Sequence, residues 1–130
     1  FILTPIYDST NIETCFHAHH IFPESDYEEI SDALENIIIL TAGQHYSFAH
    51  PNGNTTIISK EYQKKCLLAK LNTILFSPYS EIYSIKRFIE VLEIGLNTTI
   101  VYNESWLENP KEIYNILSKV IVDHYYSYCY

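Results

Sequence analysis

Four stretches with helical spacing of apolar residues each follow a polar sequence that can cap a helix, and these signals constrain the fold most strongly. Ser25 precedes the first stretch, with Glu28 at the spacing of a capping box. Ser59 precedes the second, Ser77-Pro78 the third and Asn109-Pro110 the fourth, and proline is favoured at a first helical position. The sequence therefore predicts a mainly α fold built as a domain like a four-helix bundle.

The four predicted helices, named A to D in chain order, differ in how much of their surface is apolar. Helix A ends at Gly43, which is a stop signal, and has one apolar face. Helix B is apolar around much of its circumference, which predicts that it is the most buried element. The apolar positions are Ile30, Ala33, Leu34, Ile37 and Leu40 or Thr41 in A; Cys66, Leu67, Leu68, Leu71, Ile74 and Leu75 in B; Ile82, Ile85, Phe88, Ile89, Leu92 and Leu96 in C; and Ile113, Ile116, Leu117, Val120, Ile121, His124 and Tyr128 in D.

The connections after helices A and C both contain Asn-Thr-Thr-Ile, at residues 54–57 and 97–100. β-Branched residues favour extended backbone, so we expect the two segments to pair as a small two-stranded β element. Aligning residues 25–40 with 77–92 also matches several positions, which indicates a candidate helix-strand-helix duplication with repeats 25–76 and 77–130. Any two capped amphipathic helices share part of such a match, and the connection lengths admit both alternating and up-up-down-down topologies. The matched positions are Ser25/Ser77, Tyr27/Tyr79, Glu29/Glu81, Ile30/Ile82, Ile37/Ile89 and Leu40/Leu92.

Composition and charge limit the classes of protein to which this chain belongs. Residues 1–24 lack periodicity and are predicted to be an irregular N-terminal arm, followed by a single helical domain over residues 25–130. A net charge of −8 without a basic run argues against nucleic acid as a partner. No apolar run approaches the roughly 20 residues of a membrane span. Because the chain begins at Phe1 and contains no methionine, we expect a processed product or a fragment. We also expect the protein to be secreted, with its signal peptide already removed.

Three cysteines, Cys15, Cys66 and Cys129, allow one disulfide bridge with three alternative pairings. In an alternating bundle the start of helix A and the end of helix D lie at the same end, which makes Cys15 and Cys129 the disulfide candidate. Three reduced thiols packed as small hydrophobic side chains are the alternative. A bridge would favour secretion.

Three sequons are glycosylation candidates, at Asn54, Asn97 and Asn103. Asparagine is also a turn former ahead of a β-branched strand, and that structural interpretation applies to the first two. The sequons therefore support secretion only weakly.

The stretch "CFHAHHIF" is the part of the chain most like a metal site. If extended, it places Cys15, His17 and His19 on one face. It lacks a second ligand pair at zinc-finger spacing, so we expect hydrogen-bonded or solvated histidines and no metal or cofactor. The histidines that only tertiary proximity can bring to it are His20, His45, His50 and His124.

Candidates for catalysis are few. Cys66 falls on a buried face, whereas Glu28, Glu29 and Glu35 fall on predicted exposed faces. The chain has no glycine-rich phosphate loop and no hydrolase or metalloprotease motif. We therefore expect a protein that is not an enzyme.

Tyrosine is abundant, with 12 residues in the chain, and four of them crowd the C-terminus. A tyrosine offers a large rigid contact with a polar tip, which suits protein interfaces. Biased composition together with half-buried helix positions is the alternative explanation. The tyrosines are Tyr7, Tyr27, Tyr46, Tyr62, Tyr79, Tyr83, Tyr102, Tyr114, Tyr125, Tyr126, Tyr128 and Tyr130.

The chain resembles the bicycle family, secreted salivary effectors of gall-forming aphids that are defined by paired Cys-Tyr-Ile motifs. The residues that carry the resemblance are Cys129-Tyr130 and Cys15-Phe16, where Phe16 replaces the tyrosine and no isoleucine follows. The resemblance implies delivery into host tissue and implies no enzymatic activity.

Four hypotheses on function follow. The first is a secreted helical effector that recognises an unidentified protein partner, in a host, with its surface. The second is a receptor ligand like a short-chain four-helix cytokine, which requires an up-up-down-down topology. The third is a carrier of a small apolar ligand, which requires an internal cavity lined by helix B. The fourth, an intracellular helical inhibitor of the poxvirus type, requires reduced cysteines and unused sequons.

Overall fold

The computed structural model describes residues 16–41 and 59–129, with side chains at 17–40 and 59–126. The protein is mainly helical with a small two-stranded antiparallel sheet. The strands are β1 (Phe16–His20) and β2 (Ile37–Thr41), and the α-helices are α1 (Lys60–Phe76), α2 (Ile85–Leu96) and α3 (Pro110–Cys129). Short 3-10 helices lie at Glu28–Ile30, Leu34–Asn36, Ser80–Ile82 and Glu104–Glu108.

Helices α1 and α3 begin where their caps predict. The Oγ of Ser59 accepts a hydrogen bond from the backbone N–H of Tyr62 at 3.2 Å. At α3, the Oδ1 of Asn109 accepts one from the N–H of Glu112 at 3.2 Å. Each cap satisfies a backbone donor that the first turn of a helix leaves unpaired, and this fixes the helix start.

Helix α2 begins later than predicted, because the start at Ser77-Pro78 is wrong. Ser77 closes α1, and its N–H donates to the carbonyl of Thr73 at 3.2 Å. The cap of α2 is Ser84, whose Oγ accepts from the N–H of Arg87 at 3.2 Å. Ile82 therefore lies in a 3-10 helix of the α1–α2 connection rather than on the buried face of α2.

Predicted helix A is also wrong. Its first half forms the two 3-10 helices ending at Ile30 and Asn36, and its second half is β2. The run from Ile37 to Ile39 is β-branched, which costs side-chain freedom in a helix and suits a pleated strand. The partner strand is β1, paired antiparallel with Ala18 opposite Ile39. Residues 16–22 of the predicted irregular arm thus form a strand followed by core residues.

The structure does not confirm the four-helix bundle or the duplication. Residues 37–40 lie in a strand, whereas their counterparts 89–92 lie within α2. Residues 98–100 have no regular structure, and residues 54–57 lie outside the described part of the chain. The observed two-stranded sheet joins β1 to β2 and not the two Asn-Thr-Thr-Ile segments.

The core is centred on α1, which packs along α3 and also contacts α2. The side chain of Asn36 fixes the segment that follows β1. Its Oδ1 accepts a hydrogen bond from the N–H of Phe22 at 2.9 Å, and its Nδ2 donates one to the carbonyl of Phe22 at 3.0 Å. Gln63 donates through Nε2 to the Ile21 carbonyl at 2.8 Å and so connects α1 to the same segment. The largest fully buried side chains are Ile21, Phe22, Ile30, Ile38, Leu40, Leu67, Leu71, Phe88, Leu92, Leu117, Ile121 and Tyr125.

Candidate ligand-binding site

The predicted disulfide lies outside the described side chains. Cys15 is not described, and Cys129 is described only as the last residue of α3. Cys66 is buried in α1, as predicted; it forms no disulfide with any residue that the structure describes, and burial raises the pKa of its thiol. Because only the thiolate is strongly nucleophilic, the raised pKa makes Cys66 a weak nucleophile, and its side chain packs in the core.

Two of the three predicted glycosylation sites are described and both are exposed. Asn97 has a left-handed conformation with φ of 51° and forms the C-cap of α2. The Oδ1 of Asn103 accepts a hydrogen bond from Ser105 Oγ. Asn54 lies outside the described residues, and glycosylation of all three stays a prediction.

The histidines and carboxylates singled out in the sequence are dispersed. His17 is half-buried and His19 is buried, and no group of three or more potential metal ligands forms among residues 16–41 and 59–129. Glu28 and Glu29 are exposed as predicted. The prediction for Glu35 is wrong, because its side chain is buried beside α2.

A cavity of about 160 Å³ lies between α1, β2 and the α1–α2 connection. Three of its lining side chains are apolar, namely Leu34, Ile37 and Ile82. The other two, Lys70 and Tyr83, are polar. Leu34 and Ile82 are also exposed, by 43% and 54%, so the apolar wall continues to the protein surface.

Lys70 is the central polar residue of this cavity. Lys70 is only 2% exposed, although its side chain ends in an amine and lies in an apolar setting. The Nζ atom donates to Tyr83 Oη at 2.9 Å and lies 4.1 Å from the centroid of the same ring. The ring face attracts the ammonium, and the phenol oxygen accepts a hydrogen bond from it. Burial lowers the pKa of Lys70 to about 8, while the nearby Glu35 carboxylate acts in the opposite direction.

Glu35 supplies the negative charge of this polar cluster. Its Oε2 accepts a hydrogen bond from the backbone N–H of Ser84 at 2.8 Å, which fixes the carboxylate against the start of α2. Burial of the ring raises the pKa of Tyr83, and the same carboxylate raises it further. Tyr83 therefore keeps its proton at physiological pH and is able to donate a hydrogen bond as well as to accept the one from Lys70.

Sequence reasoning missed Lys70, although the sequence contains a signal for it. Lys70 lies four residues after Cys66 and three after Leu67, within the predicted apolar face of helix B. A lysine at such a position is buried unless its chain bends out to solvent. Glu35 and Tyr83 gave no comparable signal, because predicted helix A placed the first on an exposed face.

The arrangement combines an amine, a phenol and an apolar wall around a space of small-molecule size. Apolar cavities of about 150 Å³ can hold a molecule the size of benzene. The polar groups converge from one side, which is how ligand pockets fix the orientation of a bound molecule. Among the described residues, no helix is both long and apolar enough to cross a membrane.

Comparison of the chain with protein-family models, with curated protein sequences and with solved structures gives no match.

Proposed function

We propose that this protein acts without catalysis, by recognising a partner protein with an apolar surface at the α1–α2 connection. The observation that carries the proposal is the exposure of Phe76, Tyr79 and Ile82, which lie within one short segment and are 46%, 58% and 54% exposed. Leu34, which is 43% exposed, lines the same cavity as Ile82 and extends this surface. We name these four residues the rim surface. Clustered exposed apolar and aromatic side chains are typical of interaction sites.

The rim surface is also held in place, which favours recognition by a preformed site. The 3-10 helix under it is closed by hydrogen bonds from Ile82 N–H to Tyr79 O and from Tyr83 N–H to Ser80 O, both at 3.2 Å. The ring of Phe76 packs against Tyr114 of α3 with centroids 6.0 Å apart. A partner would therefore meet aromatic groups that lose little freedom on binding.

The proposal is tested by comparing two double variants that make similar chemical changes at different places. Tyr79→Ser/Ile82→Ser changes two of the four residues of the rim surface, whereas Tyr126→Ser/Val101→Ser changes a tyrosine and a valine elsewhere that are more exposed, at 65% and 84%. A partner is first isolated on the wild-type protein from candidate host tissue and purified, and its Kd is then measured against all three proteins. We expect the rim variant to bind at least about tenfold more weakly, or ~1.4 kcal/mol, with the control unchanged. Equal binding of the partner by both variants would refute the role of the rim surface in recognition.

Secretion into a host is part of the same proposal, supported by the three sequons and by the resemblance of Cys15-Phe16 and Cys129-Tyr130 to the bicycle motifs. Expression of the full gene in a secreting eukaryotic cell tests it. We expect the protein in the medium, with a mass that glycosidase treatment lowers. The variant Thr99→Ala breaks the sequon at Asn97 but keeps Asn97 as the helix cap, so we expect it to lack the mass of one glycan. Retention of an unmodified, fully reduced protein inside the cell would argue for the intracellular alternative.

A second candidate function is the binding of a small apolar ligand in the Lys70 cavity. The specific observation in its favour is that helix α1 contributes Lys70 to the cavity, whose other walls are mostly apolar. Titration with isoamyl alcohol, followed by the NMR signals of the Leu34 and Ile82 methyl groups, tests it. Saturable shifts at these methyls and not at Val101 are expected, and uniform or absent shifts would exclude this ligand class.

A further inference from the structure

The Lys70 amine faces a cavity that its protein partners do not fill. Among the residues that the structure describes, its Nζ has one hydrogen-bond partner, Tyr83 Oη at 2.9 Å. An ammonium has three protons to donate, so donor capacity remains at the cavity wall. A ligand that offers an oxygen acceptor beside a short apolar body matches both the polar and the apolar lining of this space.

The charges around Lys70 distinguish between two kinds of acceptor. Glu35 already supplies one buried negative charge close to Lys70, since its carboxylate acts on the amine electrostatically. A ligand carboxylate would add a second negative charge, and two carboxylates that share one buried cation repel each other. A neutral carbonyl oxygen accepts from Lys70 or from Tyr83 without adding charge. The site therefore favours an aldehyde or ketone over an acid.

We propose that Lys70 captures small apolar aldehydes in this cavity as an imine on its Nζ. The inference rests on the second candidate function, because the cavity must first admit a small ligand. It goes beyond that function by naming the ligand class and the atom that binds it. The volume of about 160 Å³ limits the aldehyde to a short branched or single-ring body.

The reaction is a condensation that needs no oxidant or reductant. The ammonium first gives one proton to solvent, and the lone pair of Nζ then attacks the carbonyl carbon to form a carbinolamine. Tyr83 Oη–H, beside Nζ, donates its proton to the departing hydroxyl and takes one from the nitrogen, so that water leaves and the tyrosine is unchanged. The products are one imine and one water. Lysines that form such bonds are activated by burial in apolar surroundings, as Lys70 is.

The test uses the wild-type protein with isovaleraldehyde and sodium cyanoborohydride, which reduces an imine to a stable secondary amine. Peptide mass spectrometry then gives the labelling rate of each lysine. Lys119 is the internal control, because its side chain is 75% exposed on α3. At pH 7 an amine of pKa about 8 is neutral roughly 300 times more often than a lysine at the ordinary value of 10.5. We expect Lys70 to be labelled at least about tenfold faster than Lys119, and the ratio to fall about tenfold by pH 9.

Two further measurements separate failure of this inference from failure of the carrier function. Isoamyl alcohol, which fits the cavity but cannot form an imine, should slow labelling of Lys70 and leave Lys119 unaffected. Concentrated urea should abolish the faster labelling of Lys70 relative to Lys119. In the variant Lys70→Arg the labelled peptide of residue 70 should disappear, while the labelling of the other lysines stays the same. Saturable alcohol binding with equal labelling of both lysines would refute imine capture and leave the carrier function standing. Absence of both alcohol binding and preferential labelling would overturn both.

Discussion

The buried amine of Lys70 makes the stability of this protein depend on pH in a way that one substitution should remove. In the folded protein, burial lowers the pKa of Lys70 from 10.5 to about 8, whereas the unfolded chain restores the ordinary value. Between these two values the unfolded state binds more protons than the folded state. The free energy of unfolding therefore rises with pH through the window from about 8 to 10.5.

The size of the effect follows from the two pKa values. Each pH unit between them is worth about 1.4 kcal/mol, so keeping Lys70 charged in the fold costs about 3 kcal/mol at pH 7. At pH 9.5 the charge on Lys70 lowers the free energy of unfolding by only about 1 kcal/mol. The free energy of unfolding is therefore about 2 kcal/mol higher at pH 9.5 than at pH 7. Tyr83, which faces the amine, does not oppose this change, because its raised pKa keeps the phenol protonated.

The variant Lys70→Met keeps the length of the side chain and removes the titrating group. Urea unfolding of both proteins, followed by circular dichroism at pH 7, 8, 9 and 9.5, measures the difference in their free energies of unfolding. We expect the wild type to gain about 2 kcal/mol relative to Lys70→Met between pH 7 and 9.5. Lys119→Met, at an exposed position on α3, is the matched control and should track the wild type. A difference between wild type and Lys70→Met that stays constant with pH would show that the amine is not desolvated.

Three further changes test how the fold is held together, each by urea unfolding. Gly95→Ala should lower stability by about 2 kcal/mol despite the better helix propensity of alanine, because the added Cβ overlaps the buried ring of Phe22. Asn36→Asp should lower it by about 3 kcal/mol or more, since a carboxylate puts acceptors against the carbonyls of Phe22 and Ile30 to which the amide donates. Asn97→Ala should cost about 1 kcal/mol, whereas Asn97→Gly should cost almost nothing, because only the first strains a left-handed residue.

Each of these changes has a control that isolates its cause. Phe22→Leu should recover part of the loss in Gly95→Ala, and simple additivity of the two would refute the overlap. Asn103→Asp makes the same substitution as Asn36→Asp at an exposed site and should be nearly neutral. Equal losses in the alanine and glycine variants of Asn97 would indicate a side-chain contact rather than a backbone conformation.

Two of the described α-helices, α1 and α3, could be predicted from the sequence together with their starts, because a cap directly precedes an apolar face in each. Ser59 and Asn109 each precede such a face and each accept a backbone hydrogen bond in the structure. The start of α2 was predicted at Ser77-Pro78, because a serine followed by proline is typical of a helix start. In the structure Ser77 ends α1, and Ser84 caps α2.

Strand β2 could not be predicted from its own residues alone. The stretch before it combines a capping-box spacing with apolar positions at helical intervals, so the local signals favoured a helix. Two non-local contacts decide otherwise. One is the pairing of β2 with β1, and the other is the side chain of Asn36, which binds both backbone groups of Phe22. Such contacts join residues far apart in sequence and leave no periodic signal in either segment.

Because residues 25–43 were predicted as a helix, the Lys70 site could not be predicted from the sequence. In a helix over residues 25–43, Leu34 and Ile37 share the apolar face and Glu35 points to solvent. In the observed 3-10 helix and strand, Leu34 and Ile37 line the cavity while Glu35 reaches the N–H of Ser84. The burial of Lys70 was readable from its helical spacing, but its proposed role depends on which groups surround the amine. Those groups come from two segments outside α1, so the chemistry of the site is a property of the tertiary fold.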